Sequence, residues 1–161
     1  MKIVKLLIIT YLFSTMLYAQ ATEVTYKWFE ENHEEIVKII KDPSANADHV
    51  INNILVVFKN RDGAIGLEIS YYIEKALIIR PKDMIKGFYN YPEEYKDWLN
   101  KIGPYLLTDY SGDEKDELEI TKQKILKSLE NFINTNEETK YKEIALELYN
   151  KIKITPVRVV E

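Results

Sequence analysis

Few residues outside the carboxylates could do chemistry. The chain has two histidines and no cysteine. A cysteine nucleophile, a thiolate zinc site and a disulfide framework are therefore excluded. His33 stands in the run Glu30-Glu31-Asn32-His33-Glu34-Glu35. A zinc helix would need a second histidine one turn later, at position 37, which is Val37. His33 thus reads as an exposed residue on a charged face, and His49 as a partly exposed helix residue. A Ser-His-acid triad would have to recruit one of the two, and no serine sits in a Gly-x-Ser-x-Gly turn.

Carboxylates are abundant, with 26 Asp and Glu. Glycoside hydrolysis needs two of them at a set separation, one with a raised pKa, and nothing in the sequence singles out a pair. Asp109, Ser111, Asp113 and Glu117 suggest a calcium loop, but Glu114 occupies the turn-glycine position and Ile120 the bidentate-glutamate position. Asn60-x-Asp62-Gly63 fails in the same way, with Ile69 at its last ligand position. A glycine-rich phosphate loop is also missing. The expectation is no catalytic residue, no metal and no cofactor.

One segment stands out by composition. Residues 88–110 hold Phe88, Tyr89, Tyr91, Tyr95, Trp98, Tyr105 and Tyr110. Tyrosine and tryptophan combine a flat apolar face with a polar tip, which suits recognition of peptides, sugars or protein surfaces. Tyr95 and Trp98 fall on a helical stripe and read as core. Tyr89, Tyr91, Tyr105 and Tyr110 fall at helix ends or in loops and are the candidate binding residues, with ordinary packing as the competing reading. Arg80, Lys82 and Lys86 nearby could meet an acidic partner, although a solvated face accounts for them as well.

The first residues carry an address. Met1 to Lys5 is positively charged, Leu6 to Tyr18 is apolar but for Thr10, Ser14 and Thr15, and Ala19-Gln20-Ala21 is a small-x-small triplet. This order is that of a secretory signal peptide over 1–21, with cleavage expected after Ala21 and, second, after Ala19. The apolar run is shorter than the ~20 residues that span a bilayer. The expected location is periplasmic or extracellular. The chain carries a net charge of −4, and residues 1–21 contain Lys2, Lys5 and no acid. Removing them leaves a more acidic protein that repels phosphate backbones, so nucleic acid is not an expected partner. No later stretch is long enough to span a membrane.

Helical periodicity runs through residues 22–153, read as a single all-α domain of about six amphipathic helices. They form either one bundle or a short stack of antiparallel hairpins, preceded by the signal-peptide helix. The stripes are Val24, Trp28, Ile36, Ile39 and Ile40; then Ala47, Val50, Ile51, Ile54, Leu55 and Phe58; then Ile65, Ile69, Tyr72, Ile73 and Ala76. Val56 and Val57 widen the stripe from Ala47 to Phe58, so that helix is expected at the centre. Ile85 and Phe88 mark a short helix. Tyr95, Trp98, Leu99 and Ile102 mark another, closed by Gly103-Pro104. Leu118, Lys122, Ile125, Leu126, Leu129, Phe132 and Ile133 align on a long one, and Tyr141, Ile144, Ala145, Leu148 and Ile152 on the last. Ser44 and Asp113 are the expected caps of the second and the long helix. Residues 104–114 read as irregular and 154–161 as an extended tail.

No motif is specific enough to carry a residue role over from a known family. The functional expectation is an exported, non-catalytic helical module that binds a protein or peptide. The alternatives are a small hydrolase with paired carboxylates and a periplasmic chaperone or inhibitor with an apolar groove between helices.

Overall fold

The computed structural model describes residues 26–61 and 63–160. The signal segment, its cleavage positions Ala19 and Ala21, Val24, Asp62 and Glu161 lie outside these residues. The described chain is mostly helical. In order it forms α1 (Tyr26–Lys41), α2 (Asp48–Lys59), α3 (Gly63–Ile79), α4 (Pro81–Asn90), α5 (Pro92–Asn100), α6 (Ile102–Leu106), β1 (Thr108–Asp109), α7 (Lys115–Thr135), α8 (Thr139–Ile154) and β2 (Arg158–Val159).

Helix α3 holds the middle. Glu68, Glu74 and Lys75 are the charged side chains in a stretch otherwise dominated by apolar residues, and a helix apolar on most sides is buried from several directions. It packs against α1, α2, α4, α6 and α7. Helix α2, the expected centre, touches α1, α3, α4 and α5 and shares that role. Two glycines permit the closest approaches. A Cβ on Gly87 would lie 2.6 Å from Ile51 Cγ2, and one on Gly66 would lie 2.5 Å from the Tyr105 hydroxyl oxygen. A side chain at either position would require Ile51 or Tyr105 to shift.

Several local expectations are corrected. In α1 the buried aromatic is Phe29, fully enclosed, while Trp28 is half-buried. Phe29 shares a face with Ile36 and Ile40 and meets the Tyr72 ring edge-on at 4.9 Å. Gly103-Pro104 does not close α5 but lies in the first turn of α6, where the missing proline N–H costs no helical hydrogen bond. Ser44 does not cap α2. Its N–H and hydroxyl donate to Asp42 Oδ1 at 2.9 and 2.6 Å, and the N-cap position is Ala47. The tail finds a partner within the chain: β2 pairs with β1 in parallel, Thr108 opposite Arg158 and Asp109 opposite Val159.

Arg80 makes up the whole link between α3 and α4 and is 8% exposed. Its guanidinium donates to Ile39 O at 2.9 Å, Asp42 O at 2.8 Å and Ala45 O at 2.5 Å, and its Nε to Asp83 Oδ2 at 2.7 Å. Carbonyls at the end of α1 lack helical partners, and a cation there also complements the helix dipole. One side chain therefore joins α1, the α1–α2 loop, α3 and α4. Arg80 is therefore buried in internal bonds rather than lying on a solvated face. Nearby, Lys86 pairs with Asp48 at 2.9 Å, whereas Lys82 is exposed.

Arg80→Met is expected to lose about 3 kcal/mol, because buried carbonyls and Asp83 are left without their donor. Arg80→Lys should recover little of it, since a single ammonium cannot reproduce the fork. Urea unfolding at constant m-value measures both.

Candidate functional site

The aromatic segment divides between interior and surface. Phe88, Tyr95 and Trp98 form one buried cluster, with Phe88 ring centroids 5.0 Å from Tyr95 and 5.6 Å from Trp98. The Trp98 indole N–H donates to the buried Ser70 hydroxyl at 3.2 Å. Tyr95 donates to Glu147 Oε2 at 2.9 Å, joining α5 to α8. Burial, helped by that bond to Glu147, pushes the phenol pKa well above the ordinary tyrosine range.

The four candidate tyrosines do not converge. Tyr91, the junction residue between α4 and α5, packs against the core. Tyr105 is half-buried, seated against Gly66 and edge-on to Phe58 at 6.3 Å. It also borders the enclosed Arg61, whose guanidinium lies 3.5 Å from the Phe58 centroid and donates to Phe58 O and Asp97. Tyr105 thus closes a structural box. Tyr110 is 56% exposed and donates to Pro104 O at 3.1 Å. Tyr89, near the end of α4, is 45% exposed. Among the described residues no ring pair joins two of these four.

Tyr89 has a different neighbourhood, supplied by the start of α8. Its ring stands edge-on to Tyr141 at 5.5 Å. The Lys140 ammonium lies 4.9 Å from the Tyr89 centroid and 4.7 Å from the Tyr141 centroid. Tyr141 is buried and fixes the pair, while Tyr89 and Lys140 face water. The result is a small aromatic corner with a held cation. Tyr89 was among the candidate residues and Tyr141 on the apolar stripe of its helix, whereas Lys140, adjacent to Tyr141 in the first turn of α8, was not singled out. Only the packing of α4 on α8 reveals the combination.

The carboxylates that leave water are engaged. Glu94 is buried and pairs with Lys59 at 3.3 Å. Asp109 is fully buried. Its Oδ1 accepts from Ser111 N at 2.9 Å, Ser111 Oγ at 2.9 Å and Gly112 N at 2.7 Å, and its Oδ2 accepts from Glu114 N at 2.9 Å. Asp109, not Asp113, therefore satisfies the entry to α7, reaching across the loop. Burial alone would raise its pKa, but donors from Gly112, Ser111 and Glu114 outweigh burial and hold it below the usual carboxylate range. Asp97 is also lowered: Arg61 and Lys101 overcome its desolvation. Ser44 lowers Asp42. A general acid for sugar hydrolysis requires the opposite shift.

The calcium-like run follows the same logic, since Asp109 and Asp113 both turn inward to Ser111. Among the described residues no three His, Asp or Glu gather to hold an ion. His33 and His49 are exposed. An apolar crevice between α1 and α3, bordered by Val37, Ile40, Tyr71, Tyr72 and Ile79, encloses about 20 Å³, too little for a side chain. No described helix is long and apolar enough to cross a membrane. No family model matches the chain, and no curated protein or solved structure is significantly similar to it.

Asp109 generates a pH-dependent expectation. Its pKa is lower in the folded state than in the unfolded chain. Its contribution is therefore full above the unfolded carboxylate value and is lost as pH falls through the folded one. Asp109→Asn should be less stable than wild type at neutral pH, because its amide turns an NH2 toward the Glu114 N–H. The gap should narrow as pH drops below about 4. Urea titrations across that range read it directly.

Proposed function

We propose that the protein is an exported, non-catalytic module that binds another protein or peptide, with Tyr89, Lys140 and Tyr141 at its contact surface. The observation that carries this reading is the α4–α8 corner: an exposed tyrosine held edge-on against a buried one, with an ammonium 4.7–4.9 Å from both ring centroids. An aromatic ring pre-positioned by packing loses little freedom on binding, which is what interface anchors require. Export rests on the charged start, apolar run and Ala19-Gln20-Ala21 triplet of the sequence.

The hydrolase alternative has less support. Its two buried acids, Glu94 and Asp109, are held by Lys59 and by loop N–H groups. The chaperone alternative would use an apolar inter-helix groove; the apolar crevice at α1–α3 is too small for that role, and the larger groove between α7 and α8 is lined mainly by charged side chains.

The test is affinity capture from envelope and culture fractions, with purified wild type beside Tyr89→Ala. Tyr89 is a surface residue, so circular dichroism and thermal melting should match between the two. A partner enriched by wild type should be lost with the variant, at about 2 kcal/mol or roughly 30-fold in Kd. Undiminished capture by a folded Tyr89→Ala protein would remove the corner from the contact surface.

A further inference from the structure

One groove on this acidic chain is lined mainly by lysines. A groove of about 530 Å³ runs between α7 and α8, within the size range of ligand sites. Lys122, Leu126, Lys127 and Glu130 contribute from α7, and Tyr149 and Lys153 from α8. Three ammonium groups thus face one carboxylate, on a chain whose net charge is −4.

Among the described residues Lys122, Lys127 and Lys153 have no carboxylate counter-ion. Ion pairs occur widely elsewhere, from Lys27–Glu31 to Lys140–Glu138. Lys122 is 8% exposed, where an ammonium is costly without compensation. Thr155 O takes one of its three protons at 2.7 Å, which fixes the head group and leaves donors over. Lys153 is steered as well, its ammonium 5.5 Å from the Tyr149 centroid. Leu126 is buried and Tyr149 half-buried, so an apolar floor lies between the charges.

We propose that the α7–α8 groove binds an acidic peptide segment, its carboxylates on Lys122, Lys127 and Lys153 and an apolar side chain on Leu126 and Tyr149. Charge complementarity selects the sign of the ligand. The apolar floor and the acidic remainder of the protein favour a short peptide with spaced carboxylates over a long phosphate polymer, which the net charge repels. This site uses a different part of α8 from the Tyr89 corner and stands or falls independently of it.

The experiment is fluorescence anisotropy with the purified protein and a fluorescein-labelled peptide alternating glutamate and leucine. Saturable binding should weaken as NaCl rises from about 50 to 300 mM, and a glutamine-for-glutamate peptide should not bind. Lys127→Gln/Lys153→Gln leaves the Lys122–Thr155 bond in place, so its melting curve should match wild type while affinity falls at least about tenfold. Lys82→Gln/Lys115→Gln removes the same charge from exposed positions outside the groove and should leave affinity within about twofold. Equal loss in both double variants, no saturable binding of the glutamate peptide, or equally tight binding of inorganic polyphosphate would each overturn the proposal.

Discussion

The fold hangs on a requirement that burial imposes: a helix end taken out of water must find donors for its carbonyls. At the end of α1 that donor is Arg80. It sits where α3 hands over to α4 with a single intervening residue, and its fork reaches Ile39, Asp42, Ala45 and Asp83 together. The geometry fixes α1 and the α1–α2 loop against the central helix. With α1 docked, Phe29 can meet Tyr72, and Ile36 and Ile40 can complete the core. The chain has 3 arginines, Arg61, Arg80 and Arg158. Two of them, Arg61 and Arg80, are enclosed and bonded to carbonyls and an aspartate. The 19 remaining basic residues are lysines. Planar, multidentate donors are used where backbone must be satisfied out of water.

A second device of the same kind works at the other end. Asp109 gathers three backbone N–H groups and the Ser111 hydroxyl, turning a glycine-containing loop into a fixed entry for α7. Its own carbonyl accepts from Val160 N at 2.9 Å, so the loop also pins the tail. Together Arg80 and Asp109 account for much of the buried charge. Most of the remaining polar interior, Ser70, Glu94 and Lys122, is likewise bonded to named partners. These interior polar groups help hold the fold.

Much of this architecture was readable from residue spacing. The apolar stripes of α2, α7 and α8 match the buried residues closely, and even Lys122 fell on its stripe. Pro81 and Pro92 open α4 and α5, where a proline costs no helical hydrogen bond. The misreadings share a cause. Ser44 and Asp113 have the right type and position to cap helices, yet Asp42 and Asp109 take the bonds because the loops fold back on themselves. Arg80 resembled a surface cation because nothing local shows that the α1–α2 loop lies over it. The β1–β2 pair spans about fifty residues of sequence and is two residues long, below what pattern can reveal. The proposed surface sites were half legible for the same reason. Tyr89 stood out by composition, but Tyr141, Lys140 and the α7–α8 lysines gain meaning only when α8 is packed against α4 and α7.

The central claim is that the buried Arg80 and Asp109 are structural and that the proposed contact with a partner occurs at the α4–α8 corner. Hydrogen exchange of the protein, alone and bound to its captured partner, tests that most directly. The account predicts new protection confined to the end of α4 and the first turn of α8, around Tyr89 and residues 138–142. Protection centred elsewhere, with none at Tyr89 or Lys140, would contradict it.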